Sequence, residues 1–357
     1  MIFYIAIAVI TCMLSYLVKK PCTASVEGQR QEAINKVCVT AVFVILFLVS
    51  ALRDHVGNDY GKYIYNFNEV FYDAYVVTEI GYNFVVKAIY QMAGSMNYYL
   101  VFALFSFLTA LGFVRALYKE SEWFFMSFFL YMMFGMYYIS FSTMRYYLVL
   151  GFGIYVLQMM SRKKYIPACI LTLVLSLFHK SILIVIPIYF LATIKWRKWH
   201  LCVMAILAST GLFLQDFYMT ILLKLYPSYE NVEALGDGTS IVAILRCVAV
   251  IGLALLYYKP AIKDNIQNRF YLTLNYFALL LYVFGGFIPE LSRICYYMML
   301  SQLFLIPGII LRIPDKNQKQ LITGAVVGCA IVYFLVFLLN ADKPGVMVLP
   351  YKTVLLP

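Results

Sequence analysis

Residues 53–63 read RDHVGNDYGKY and place Arg53, Asp54, His55, Asp59 and Lys62 directly after the apolar run VCVTAVFVILFLVSAL at 37–52. Only 13% of the 357 residues are charged, so such a gathering stands out. Cations and carboxylates at the mouth of an apolar segment suit the binding of an anion with proton transfer beside it. Groups of the same kinds recur beside other apolar runs. They are Arg145 in STMRYYLVLGFG, His179 and Lys180 in SLFHKSIL, Arg246 in SIVAILRCVAV, Glu290 and Arg293 in IPELSRICYYM, and Tyr351 and Lys352 in LPYKTVLLP. Arginine carries a permanent charge on a fork that matches phosphate bidentately. Arginines converging from several such sites would hold one phosphate or pyrophosphate, and a lipid-linked phosphate lies at this depth. Each residue also has a plainer reading. An arginine at the end of a span is often an interfacial anchor, His179 a hydrogen bonder between helices, and Gly57 and Gly61 turn markers. Asp54 and Asp59 also suit simple pairing with Arg53 and Lys62. Arg246 fits the plain reading worst, because it lies inside an apolar run.

The elements that must position these groups are membrane helices. The chain is 64% hydrophobic with a mean hydropathy of +0.83, against about 45–50% apolar for a soluble domain. A span needs about 20 apolar residues. Twelve are expected: 2–18, 37–52, 97–117, 123–142, 144–161, 165–180, 181–194, 200–215, 241–258, 270–288, 293–311 and 321–339. The pair within 165–194 can also be read as one kinked segment. Segment 2–18 lacks the features of a cleavable signal and reads as a retained span. GYNFVVKAIYQMAG at 81–94 is short and carries Lys87, which predicts an interfacial or re-entrant helix.

With the N-terminus outside, 18 of the 28 Lys and Arg and 6 of the 17 Asp and Glu fall on the inner side. The clusters RKK at 162–164 and KWRK at 195–198 are among them, as the positive-inside bias requires. Both termini are then outside, and so is every candidate residue named above. The outer loops 53–96 and 216–240 and the tail 340–357 belong to one integral membrane domain spanning 1–357. The net charge of +11 records loop orientation and does not suggest nucleic acid. None of the eight cysteines forms a CxxC pair, so neither a metal site nor a disulfide framework is expected.

RDHVGNDYGKY resembles the R-x-x-x-G-x-D-Y-x-x-Y signature of EpsG-like polysaccharide polymerases, a branch of the Wzy-type O-antigen and exopolysaccharide polymerases. TEIGYNFV at 78–85 is similar to their E-x-G-Y element, and MRYYL (144–148), LFHKSIL (177–183), LSRICYYM (291–298) and PYK (350–352) follow in the same order. The resemblance runs from about residue 50 onward. Asn58 and Tyr146 depart from the pattern, where a small or hydroxyl residue and a glutamine are common.

The resemblance implies an all-α polytopic fold related to the GT-C membrane glycosyltransferases, in the bacterial inner membrane with the active face periplasmic. It implies transfer of a growing glycan from undecaprenyl pyrophosphate to the non-reducing end of another lipid-linked repeat unit. No cofactor and no metal are implied, and a chain-length regulator is a candidate partner. In such a reaction an acceptor hydroxyl attacks an anomeric carbon and pyrophosphate leaves, so cations at the leaving group lower the barrier. Arg145, Arg246 and Arg293 are the candidates there, with Arg53 next. Asp59 or His179 is the candidate base, Asp59 by position, and His179 is alternatively a pyrophosphate donor. Asp54, Glu79 and Glu290 would orient arginines or bind sugar hydroxyls; Tyr60, Tyr63, Tyr296 and Tyr351 would contact sugar. The competing classes are an O-antigen ligase with the same donor, a flippase, and an O-acyltransferase. A flippase should place charge along a path through the bilayer. An O-acyltransferase should place its histidine on a cytoplasmic donor path.

Overall fold

The computed structural model describes residues 1–19, 25–225, 241–285 and 288–355, without the side chains of Leu222, Leu225, Pro289 and Glu290. Its elements are α1 (Ile2–Tyr16), α2 (Val26–Ala51), α3 (Tyr60–Phe71), α4 (Ile80–Ala93), α5 (Tyr98–Glu120), α6 (Phe124–Met133), α7 (Met136–Ile139), α8 (Met144–Ser161), α9 (Tyr165–Ser176), α10 (Val185–Ala192), α11 (Lys198–Phe213), α12 (Gln215–Leu225), α13 (Ile241–Leu256), α14 (Ile266–Gly285), α15 (Pro289–Met299), α16 (Gln302–Leu311) and α17 (Lys316–Leu339). Among the described residues there is no strand beyond an isolated bridge between Arg53 and Thr353.

Each of the twelve apolar segments contains helix, but fewer helices meet the length of a span. Four are long and apolar enough: Val26–Ala51, Tyr98–Glu120, Leu291–Leu311 and Lys316–Leu339. A fifth forms if α11 and the start of α12, bent by 88°, count together. The expected number was twelve. The difference lies in segments such as Ile2–Tyr16, Phe124–Met133 and Tyr165–Ser176, whose helices stop short of the roughly 20 residues needed to cross the hydrocarbon. The apolar outer faces of the long helices still call for lipid, since 17% of the α17 window is buried within the protein.

The chain divides into two compact units that interleave in sequence. The first comprises Met1–Val156, Ile170–Lys180 and Lys316–Pro357. Its spine is α5, which buries Phe102, Phe105, Thr109, Phe113 and Ala116 at helical spacing. Against it packs α2, with Cys38, Val42, Leu46 and Ser50 inward. Helix α8 approaches α5 where two glycines meet: a Cβ on Gly112 would lie 3.3 Å from the Gly151 carbonyl carbon. Small residues permit such backbone proximity. Helix α6 is apolar all round and almost wholly buried, as that pattern requires.

The loop 53–96 is itself structured, as α3 and α4. The helix expected at 81–94 is α4, which buries Tyr82, Val86 and Tyr90 on one stripe and leaves Ile80, Phe84 and Met92 exposed. The segment 165–194 breaks after α9 and resumes as a 3₁₀ turn at Lys180–Ile184 before α10. In the tail, residues 341–354 return to the first loop.

The second unit comprises Leu157–Cys169 and Ser181–Asp315. Helix α14 is its spine and contacts α10, α11, α13, α15 and α16. At Gly211 of α11 a Cβ would fall 2.0 Å from the Phe284 carbonyl oxygen, so only glycine allows this crossing. Buried Asn275 donates to Ser301 Oγ at 2.8 Å and accepts from Gln302 Nε2 at 2.8 Å. The pairing satisfies both ends of the Asn275 amide, while the Gln302 Oε1 has no hydrogen-bond partner among the described residues.

Candidate active site

The E-I-G-Y stretch at 79–82 is built for one docking event. Glu79 is the residue before α4, and its carboxylate forms an ion pair with the Arg145 guanidinium. The other carboxylate oxygen accepts the Lys180 backbone N–H at 3.1 Å. The backbone N–H groups of Gly81 and Tyr82 both donate to the Leu177 carbonyl, at 3.0 and 3.2 Å. That carbonyl is free to accept because α9 has ended just before it. Gly81 is required by the approach: a Cβ there would lie 2.7 Å from Leu177 Cβ and 2.9 Å from its carbonyl oxygen. Tyr82 is fully buried and carries the Arg145 guanidinium 5.0 Å from its ring centre, a cation–π geometry.

Arg145 sits in the first turn of α8. The positive end of that helix and the guanidinium together favour an anion. The Arg145 side chain is 19% exposed, and its Nε is buried with no hydrogen-bond partner among the described residues. On the adjacent residue, Tyr146 packs its ring edge-on at 5.4 Å from the His179 ring. Tyr63 lies within electrostatic reach of both Arg145 and Asp59, and its ring centre is 6.5 Å from that of Tyr82. The structure thus brings together Asp59, Tyr63, Glu79, Arg145 and His179 in the first unit. Asp59 is half-buried at the start of α3, where its carboxylate accepts from Asn58 Nδ2 at 3.1 Å and makes no cap bond of its own.

Arg53 is placed differently from the expectation that it faces phosphate. Its side chain is buried, donating to the Ser50 carbonyl, to Ser50 Oγ at 3.0 Å and to Ser106 Oγ at 3.2 Å. Its guanidinium carbon lies 5.1 Å from the ring centres of both Phe102 and Phe141. Arg53 therefore binds α2, α5 and the turn before α8 to one another. Nor does it pair with Asp54. The Asp54 carboxylate instead accepts from Tyr60 at 3.3 Å and has His55 Nε2 at 3.9 Å.

Tyr60 and Tyr351 also turn inward. Tyr60 is buried and stacked on Phe102 with ring centres 4.4 Å apart. Tyr351 stacks on Phe3 at 4.4 Å and donates to the Val49 carbonyl at 3.0 Å. These rings spend a face on the protein itself rather than on sugar. Gly57 adopts φ +111, and a Cβ there would lie 2.2 Å from the Phe141 carbonyl oxygen. More than a turn marker, it lets the loop lie against the turn before α8. The loop is held by Gly57 N–H to the Met347 carbonyl at 2.8 Å, Asp54 N–H to the Lys352 carbonyl at 3.0 Å and Asn58 N–H to Ser142 Oγ at 3.2 Å.

Arg246, Arg293, Glu290 and Tyr296 belong to the second unit. Arg246 is buried on α13, with Nη2 3.2 Å from Met299 Sδ of α15. Tyr282 of α14 lies within electrostatic reach of both Arg246 and Tyr296. Arg293 and Tyr296, both half-buried, are one turn apart on α15 and share a face. The Glu290 side chain lies outside the described residues. Sequence reading missed Ser50, Phe102, Ser106 and Phe141 around Arg53, and Tyr82 and Leu177 around Arg145. Tyr82 carried a signal, as the last residue of the E-x-G-Y element, and so did Leu177, as the first of LFHKSIL. Among the described residues no group of His, Cys, Asp and Glu could hold a metal ion.

Long apolar helices define a membrane protein, and Arg145 stands ion-paired and partly open at the end of one of its helices. The EpsG family model matches residues 36–353, and the chain belongs to the EpsG family. No curated protein and no solved structure matches it. Family membership points to a polymerase-type role in polysaccharide synthesis.

Proposed function

We propose that the chain polymerises lipid-linked oligosaccharide repeat units, moving a growing glycan from undecaprenyl pyrophosphate onto the non-reducing end of another lipid-linked unit. The reaction takes place on the periplasmic face of the bacterial cytoplasmic membrane, with both termini on that side and a GT-C-like arrangement of twelve spans. The acceptor oxygen bonds to the anomeric carbon, the bond from that carbon to the pyrophosphate oxygen breaks, and the pyrophosphate leaves with the electron pair. The hydroxyl proton passes to a base, Asp59 or His179.

The observation that carries this reading is the state of Arg145. It is aimed by Glu79 and Tyr82, its side chain is partly open, and it stands at a helix N-terminus. A preorganised cation of this kind stabilises charge on a leaving phosphate at no reorganisation cost. Arg246, Arg293 and Tyr296 are the candidates for substrate contact within the second unit. Arg53 acts through the loop that it anchors, as a positioning residue. In the first unit Asp54 and Tyr63 are the candidates for glycan contact, with Tyr60 and Tyr351 as packing that holds the loop and the tail; Glu290 is a candidate in the second unit.

The test is deletion and complementation in a strain that makes the polymer, read on a gel of lipid-attached glycan. Loss of the polymerase leaves single repeat units on the lipid core, whereas loss of a ligase leaves none. Arg145→Ala at normal protein level should reproduce the deletion, and a wild-type ladder from that variant would sink the assignment.

A further inference from the structure

The second unit has a cavity far from its arginines on α13 and α15. It measures about 160 Å³ and lies among the end of α8, the turn after α10 and the first turns of α14. A water occupies about 30 Å³, so the space holds roughly five waters and has room for a phosphate group. Lys163, Lys195 and Arg269 line it and no carboxylate does. None of the three makes an ion pair among the described residues. Ser161 adds a hydroxyl, and Ile194 and Ile266, 45% and 56% exposed, lie at the same cavity.

This cavity is distinct from the arginine site of the same unit. Arg269 and Tyr282 are both on α14, and Tyr282 is the residue within reach of Arg246. Thirteen residues of helix separate them, about 20 Å at 1.5 Å per residue. One end of α14 meets Arg246, the other the cavity. Lys163 and Lys195 belong to the RKK and KWRK clusters whose charge marks the cytoplasmic side.

We propose that this cavity binds the phosphate of an anionic phospholipid of the cytoplasmic leaflet, with the glycerol and first acyl carbons against Ile194 and Ile266. Three cations without a counter-ion supply the charge. The first turn of α14 adds its positive end. Basic pockets between helix ends on this side of a membrane suit such headgroups. The exposed isoleucines favour a lipid over free phosphate, which has no apolar part to cover them.

Native mass spectrometry of the full chain in detergent, with phosphatidylglycerol, phosphatidylcholine or inorganic phosphate added, tests this. The wild type should retain phosphatidylglycerol over phosphatidylcholine by about tenfold or more, and the preference should shrink at high salt. The triple variant Lys163→Gln, Lys195→Gln, Arg269→Gln should lose it. The variant Lys259→Gln, Lys263→Gln, with nearby charges outside the cavity, should keep it. Equal retention of the two lipids by the wild type would overturn the proposal without recourse to any variant, as would full preference in the triple variant. Inorganic phosphate displacing phosphatidylglycerol at equal concentration would overturn the lipid as ligand.

Discussion

Arg53 and Arg145 lie in the same unit and each rests on aromatic rings, yet their surroundings divide them. Arg53 is 1% exposed, between two phenylalanines, with serine hydroxyls and a carbonyl as partners. Arg145 is 19% exposed, over one tyrosine, and paired with a carboxylate. A buried cation without a carboxylate is expensive, and the serine and carbonyl partners of Arg53 offset that cost in part, its Nε having no hydrogen-bond partner among the described residues. Its work is done inside the protein. A paired, partly open cation has its position set by the carboxylate and still presents charge outward. Type and position in sequence put both arginines in one group; environment encloses one within the fold and leaves the other partly open.

The sharpest division should come from Arg145→Ala, with polymer formation falling about 10²–10³-fold while the amount of protein in the membrane stays normal. Gly57→Ala should act the other way. Its φ and the overlap with Phe141 should cost about 3 kcal/mol, read as a lower unfolding temperature in detergent and less protein in the membrane. Glu79→Gln keeps the shape and removes the charge that aims Arg145. Polymer formation should drop about tenfold with stability little changed, and an unchanged rate would mean that Arg145 needs no partner. Tyr351→Phe removes one hydrogen bond to Val49 and should cost about 1 kcal/mol of stability, with the ladder retained. Arg53→Met fills the same space but leaves the Ser50 carbonyl without its guanidinium donor, and should likewise cost about 1 kcal/mol of stability, with the ladder retained. A normal level of Arg53→Met protein without a ladder would break the comparison and return Arg53 to the chemistry.

The helices were legible because apolar runs are long and their boundaries charged. Their capacity to span was less so. Segment 123–142 reads as one run, but the chain turns at Gly135, with φ +70, so that the run becomes α6 and α7. The residues of the site were legible by type and their pairings were not. Glu79 and Arg145 are 66 residues apart, and nothing local says that the break after α9 will offer the Leu177 carbonyl to Gly81. Arg53 shows the converse. Its charge drew attention in a linear reading, while the Ser106, Phe102 and Phe141 side chains that enclose it come from segments without any mark.

The tie between the first loop and the tail has a consequence in time. Asn58 Oδ1 accepts the Gly345 N–H across 287 residues, and Gly57 and Asp54 are held by the same tail segment. At about 5–20 residues per second of synthesis, the loop waits roughly 15–60 s for the strand of chain that will clasp it. Until then the Asp54 and Gly57 backbone N–H groups and the Asn58 side chain lack their tail partners. A ribosome that stalls after α17 leaves a full set of long helices with a first loop that nothing has yet closed.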